Sequence, residues 1–112
     1  MVDRFGEYGE EWQLKRGDLA DLSAVTKVER ACFPPLEAAT EESFRERLTL
    51  YGRHFLLLYH ESSLVSFIDG FCTNEENLTD LMYEDASLHD EKGRWQMIFG
   101  VNTMPYYRRK GI

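Results

Sequence analysis

The sequence predicts an α/β protein, an α+β sandwich built on a mixed, mostly antiparallel sheet with helices on both faces. Three observations carry that expectation. Two helix-period apolar patterns follow one short strand. Three strand-like segments come next, one nearly all apolar and one strictly alternating. Turn residues such as Pro34-Pro35 and Glu61-Ser62-Ser63 separate these segments. The order is β-α-α-β-β-β, followed by the start of another helix.

Residues 1–10 are polar and contain glycine, and are expected to fray as a flexible N-terminus. Glu11–Lys15 places Trp12 and Leu14 on one face of a short strand. Asp18 is an N-cap, with Asp21 favourable in the first turn. Leu22, Val25, Val28 and Cys32 then recur at helical spacing. Pro34-Pro35 ends that helix, because proline lacks the amide and restricts its predecessor. Thr40 caps a second helix, with Glu41 and Glu42 in its first turn. Phe44, Leu48 and Tyr51 form its buried stripe, and Gly52 suits its end.

Phe55–His60 is apolar enough for a strand covered on both faces. Glu61-Ser62-Ser63 turns it into a hairpin with Leu64–Cys72. Residues 74–93 are polar and acidic, with a short helix around Leu78–Tyr83. In Trp95–Thr103, strict alternation puts Trp95, Met97, Phe99, Val101 and Thr103 on one core face. Gly100 inside that strand signals a bulge or a close approach.

The chain has 112 residues, enough for one domain with a modest core. Its 43% hydrophobic and 13% aromatic content is that of a folded protein. A net charge of −7 argues against nucleic acid as a partner and favours a cationic ligand. No apolar run approaches membrane-spanning length, and Met1-Val2-Asp3-Arg4 does not begin a signal peptide. Cys32 and Cys72 have no metal or redox spacing. In apolar context they read as reduced core thiols of a cytoplasmic protein.

Chemistry is most concentrated at Pro105-Tyr106-Tyr107-Arg108-Arg109-Lys110-Gly111-Ile112. Consecutive backbone amides suit a pyrophosphate, glycine permits close approach, and cationic side chains neutralise charge. On composition alone, an exposed basic turn is the simpler explanation of the segment. Behind a strand with a central glycine and a proline, however, it resembles the acyl-CoA-binding motif of the GNAT N-acetyltransferase superfamily. That motif runs strand, Pro, aromatic, then R/Q-x-x-G-x-G/A. Arg108 matches its first position and Gly111 its first glycine; the final Gly/Ala falls one position past Ile112. Upstream, Val28-Glu29-Arg30-Ala31-Cys32-Phe33-Pro34 and Leu64-Val65-Ser66-Phe67-Ile68-Asp69-Gly70 are similar to arylalkylamine N-acetyltransferase-like members. The likeness spans residues 11–112 and covers the front part of the family fold. The expectation is thus the N-terminal part of one GNAT domain, its C-terminal part missing, truncated after the CoA-loop motif. Such a chain would bind CoA poorly by itself.

The resemblance implies acetyl-CoA as cosubstrate and a primary amine of a small molecule as acceptor, attacking the thioester directly in a ternary complex. Backbone groups of Val101, Asn102 and Thr103 would pair with the pantetheine arm. Amides of Arg109, Lys110, Gly111 and Ile112 would hold the pyrophosphate, with Arg108 bracing the loop. The acyl carbonyl would lie near Ile98–Gly100, where a strand amide stabilises the oxyanion. The loop from Phe33 through Pro34 and Pro35 to Ala39 would shape the acceptor pocket. Glu84, Asp85 and His89 lie nearest the catalytic strand in sequence, within an acidic stretch suited to a cation.

A base must take the ammonium proton. The paired histidines of the arylalkylamine enzymes fall on Met97 and Phe99 here, so their base does not transfer. Glu29 and His89 remain the candidate bases, with His54 and His60 read as surface histidines. A non-catalytic acyl-CoA-binding module, or an inactive fragment, is the alternative function. No metal is expected, nor nucleic acid or membrane. The exposed sheet edge would support homodimerisation or self-association.

Overall fold

The structure is a computed structural model that describes residues 2–4 and 11–108. Its main sheet has the order β1-β2-β3-β4-β7, antiparallel at every pairing. β1 is Val2–Arg4, β2 Trp12–Arg16, β3 Leu56–His60, β4 Ser63–Asp69 and β7 Gly100–Thr103. A two-stranded ribbon joins β5, Cys72–Thr73, to β6, Trp95–Gln96. The pairing of β1 with β2 is an edge strand that the polar N-terminal sequence did not announce. The rest of that stretch lies outside the described residues.

Asp18 caps as expected, but its helix starts with a 3-10 turn over Leu19–Asp21. Its carboxylate accepts from the Ala20 amide while Asp21 returns a bond to the Asp18 amide, a capping box. Helix α1, Leu22–Cys32, follows directly. Helix α2, Glu41–Tyr51, starts where the Thr40 hydroxyl accepts from the Ser43 amide. Gly52 is not the left-handed cap expected of it: its φ is −52°, and it continues into a 3-10 turn. The reason for glycine is space, since a Cβ there would sit 2.7 Å from the Gly17 carbonyl oxygen.

Cross-strand register defines the faces. Lys15, Leu57, Phe67 and Asn102 lie in one row. That face carries α1 and α2, and Val25, Val28, Phe44, Leu48, Tyr51 and Phe55 fill the space between. Arg16, Leu56, Ile68 and Val101 form a row on the opposite face. There Leu56 is 37% and Val101 66% exposed, so β3 is not buried on both faces as its apolar run suggested. Helix α4, Pro105–Arg108, approaches that second face, with Tyr107 edge-on to Trp12 and His60. Two residues, Glu61 and Ser62, turn the β3–β4 hairpin at φ of 48° and 75°.

The predicted strand Trp95–Thr103 is two strands. The amides of Met97 and Phe99 donate to the carbonyls of Phe71 and Asp69 at 2.8 and 2.7 Å. Asp69 also pairs with Gly100, so Phe99 and Gly100 both oppose one residue. This is the bulge that Gly100 signalled. It breaks the alternation: Met97 and Phe99 pack on the core before it, and Asn102 is buried after it. Val101 therefore points outward, and Trp95, at the far end before the bulge, is also exposed, contrary to the single-face reading. Gly70 makes the close approach possible, because a Cβ there would lie 1.6 Å from the Met97 carbonyl oxygen.

The acidic connection forms α3, Asp80–Glu84, then a 3-10 turn over Ala86–Leu88. Met82 and Ala86 plug it into the core. Among the described residues no helix is long and apolar enough to cross a membrane.

Candidate functional site

A cleft of about 680 Å³ opens between the α1–α2 connection, α3 and the bulge. Its wall includes Glu29, Glu37, Asp69 and Glu84, with Arg47, Asn102 and Gly100. These positions follow from local structure. Arg47 projects from the buried side of α2, Asp69 ends β4 on its core side, and Asn102 stands two pairs beyond the bulge.

Arg47 and Asp69 form a buried ion pair at 2.9 Å, the side chains 7% and 4% exposed. Arg47 also donates to the Tyr83 carbonyl at 2.9 Å, and its guanidinium lies over the rings of Phe44 and Phe99. Burial pushes the Asp69 carboxyl up to about 6; Arg47 opposes this and Glu29 adds to it. Tyr51, buried close by, is raised further from ionisation by the same desolvation.

Glu29 is committed at both oxygens. Oε1 accepts from the Asn102 side-chain amide at 2.6 Å and Oε2 from the Ala39 backbone amide at 2.7 Å. It thereby ties α1 to β7 and to the loop before α2. A carboxylate so engaged is a brace for the cleft, which weakens its case as the base.

Of the residues expected at the acceptor, Phe33 and Glu84 line this cleft. Pro34 and Pro35 do not; the Pro34 carbonyl accepts from the Glu37 and Ala38 amides in a turn beside it. Asp85 turns away and accepts from the Ser87 amide at 3.0 Å, capping the 3-10 turn. His89 lines a separate cleft of about 610 Å³ with Tyr51, Arg53 and Glu91, so it does not share the site of Gly100. The displacements of Asp85 and His89 share a cause: nearness in sequence to β7 is undone by the fold-back of 74–93.

His89, His54 and Glu91 hold their ligand atoms within 4.8 Å of one another. The Cys72 amide donates to His89 Nδ1 at 3.1 Å, which leaves the ring proton on Nε2, donated to Glu91 at 2.7 Å. In that tautomer His89 offers Glu91 a proton, not a lone pair for an ion. His89, Arg53 and His54 together hold the Glu91 carboxyl down to about 2. Cys72, half-buried beside this cluster, has its thiol pushed up by burial and by Glu91 and Asp90. It is a polar-edge thiol, not the core thiol expected.

The backbone of β7 divides by register. Met104 donates to the Val65 carbonyl, so Asn102 and Gly100 face β4 while Val101 and Thr103 face the outer edge. Among the described residues no strand pairs with that edge. Of the three residues expected to pair with a pantetheine arm, Val101 turns its backbone groups to that edge; Thr103 does too, but its carbonyl already accepts from Arg108 Nε and Cys32 Sγ. Asn102 does not; its carbonyl accepts from the Ser66 hydroxyl and its side chain binds Glu29. The Phe99 amide is also committed, to Asp69, and so is excluded as an oxyanion donor. Arg108 Nε donates to the Thr103 carbonyl at 2.9 Å. Arg109, Lys110, Gly111 and Ile112 lie outside the described residues.

Sequence reasoning missed Arg47 and the Asp69 side chain. The signal was present: Arg47 falls within the stripe Phe44, Leu48, Tyr51, and Asp69 alternates with Phe67 and Val65. Opposite charges at core positions of two elements require each other.

No family model matches the sequence, and no curated protein sequence matches it. Solved structures do. The loading GNATL domain of CurA from Lyngbya majuscula superposes with a TM-score of 0.79 at 20% identity, over 90% of this chain and 52% of that one. A GphF GNAT-like decarboxylase in complex with isobutyryl-CoA gives 0.74 at 24% identity, over 85% of this chain and 50% of that one. The chain spans about half the length of these structures. At such identities the likeness is one of fold, and the protein has the GNAT-like fold.

Proposed function

We propose that the protein is a GNAT-type acyl-CoA N-acyltransferase that passes an acetyl group from acetyl-CoA to a primary amine of a small molecule. The observation that carries this is the charge of the cleft at the bulge. Glu29, Glu37, Asp69 and Glu84 face it, and the one cation lining it among the described residues, Arg47, is bound to Asp69 and the Tyr83 carbonyl. Such a cavity attracts a protonated amine and repels a free carboxylate. The outward backbone groups of Val101 suit an extended amide-bearing arm, which would add to the sheet as a strand does. A fold neighbour bound to isobutyryl-CoA supports acyl-CoA as the donor class.

Decarboxylation is a second reading, favoured by the same neighbour, which is named a decarboxylase. It would need a cation for the acyl carboxylate, and Arg47 is already committed. The two readings separate in one assay. With acetyl-CoA and a panel of primary amines, the acyltransferase releases thiol only when amine is present. With malonyl-CoA and no amine, a decarboxylase releases carbon dioxide. Acyl-CoA binding without either product would leave a binding module.

A further inference from the structure

At the bulge, Gly100 leaves a small vacant notch on the cleft wall. An ideal Cβ built there would lie 3.2 Å from Asn102 Oδ1 and 3.7 Å from Asp69 Oδ1. Both atoms are acceptors. Asn102 Nδ2 is spent on Glu29, which fixes Oδ1 toward the notch. Asp69 Oδ2 is spent on Arg47, which leaves Oδ1 facing it. A glycine at this point therefore keeps open a space edged by two hydrogen-bond acceptors, on a strand whose outer edge no strand pairs with among the described residues.

We propose that this notch is the seat of the acceptor's ammonium group, with Asn102 Oδ1 and Asp69 Oδ1 accepting its N–H bonds and Asp69 taking its proton. The assignment rests on the acyltransferase reading and adds how the amine is held and deprotonated. A methyl or hydroxyl cannot replace an ammonium here, because it brings too few donors for the oxygens that the notch presents.

The chemistry balances. One proton passes from the ammonium nitrogen to Asp69 Oδ1. The freed lone pair forms the C–N bond at the thioester carbonyl carbon, and the C–S bond breaks. The second nitrogen proton leaves with the sulfur, so the products are an amide, a thiol and a protonated Asp69 that returns its proton to solvent. A carboxyl lifted toward neutrality by burial is suited to accept and release that proton. The charged and titratable groups that act on it are Arg47 and Tyr51 from α2 and Glu29 from α1, with Tyr83 and Glu84 from α3 and Glu37 from the α1–α2 connection on the same cleft wall.

Gly100→Ala tests the seat, because its methyl would occupy the notch while the neighbouring contacts of 3.2 and 3.7 Å need only a small adjustment. The amine KM should rise by roughly tenfold or more, the loss of a charge-assisted hydrogen bond. The acetyl-CoA Kd, measured by calorimetry without amine, should stay within about twofold. Asp69→Asn should lower kcat and remove the acidic limb of the kcat/KM–pH profile, the limb on which wild-type activity rises with pH. Asp69→Glu should keep that limb with reduced kcat, and it serves as the test if Asp69→Asn fails to fold. An unchanged amine KM in Gly100→Ala, or a retained acidic limb in Asp69→Asn, overturns the notch while amine acetylation by the wild type stands. Malonyl-CoA decarboxylation by the wild type with no amine acetylation overturns the acyltransferase reading and the notch together.

Discussion

Arg47→Met removes the cation from the centre of the cleft while keeping most of the stem's apolar contact. The cost depends on what remains. Asp69 would be 3% exposed with no cation at 2.9 Å, and the Tyr83 carbonyl would lose its donor. Breaking a buried pair from one side costs about 3–5 kcal/mol, a large share of the ~5–15 kcal/mol that holds a domain folded. The pH dependence separates this cause from simple repacking. In the wild type, burial lifts Asp69 from 3.8 to about 6. The folded state thus binds the extra proton between those values, and stability falls as pH rises through that window, by roughly 3 kcal/mol for about two pH units. Arg47 is the group that opposes the lift. Without it the Asp69 value goes higher still, so the loss continues to higher pH. The destabilisation by Arg47→Met should be about 1–2 kcal/mol at pH 5, where Asp69 is largely neutral in both proteins, and about 3–5 kcal/mol at pH 8. Urea unfolding followed by circular dichroism at the two pH values measures both. Equal destabilisation at pH 5 and pH 8 would refute the idea that Asp69 carries an unpaired charge in the variant.

Other expectations are simpler. Asp21→Ala removes a capping box and the bonds from Lys15 and the Tyr59 hydroxyl, and should cost about 2–3 kcal/mol at pH 7 by urea unfolding. Burial opposes ionisation of Asp21, but Lys15, Tyr59 and the Asp18 amide hold its carboxyl below 3.8, so its contribution persists above that value and fades as pH falls through the lowered one. Replacing Glu61-Ser62 by Asn-Gly fits both positive-φ positions and should stabilise the fold by about 1 kcal/mol, read as a shift in urea midpoint at constant slope. The apolar outer face, with Leu56 37% and Val101 66% exposed, predicts self-association that grows with concentration in sedimentation equilibrium. Leu56→Lys should reduce it.

The helices and the hairpin were legible because each has a local cause. Thr40 caps α2 by its own hydroxyl, and the stripe Phe44, Leu48, Tyr51 is the face that meets the sheet. The bulge was legible in Gly100, but its consequence was not. A single inserted residue reverses which side chains face inward, so Asn102 is buried and Val101 is exposed. The candidate bases illustrate the same limit. Glu29 lies on the right face, yet its oxygens are claimed by Asn102 and by Ala39, ten residues on. His89 is close to β7 in sequence but is carried into another cleft when Met82 and Ala86 dock on the core. The Arg47–Asp69 pair joins positions 22 residues apart, and only the packing of α2 against β4 shows which charge meets which. Long-range partnership, not element type, is what the linear pattern withheld.

The proposed chemistry requires that the acidic cleft serve a protonated amine. The direct measurement is kcat/KM for thiol release from acetyl-CoA with a primary alkylamine against the alcohol of the same carbon skeleton. A preference for the amine of at least about 100-fold is expected, falling by roughly tenfold or more in Gly100→Ala as amine binding weakens. Equal rates with amine and alcohol, or thiol release that needs neither, would contradict it.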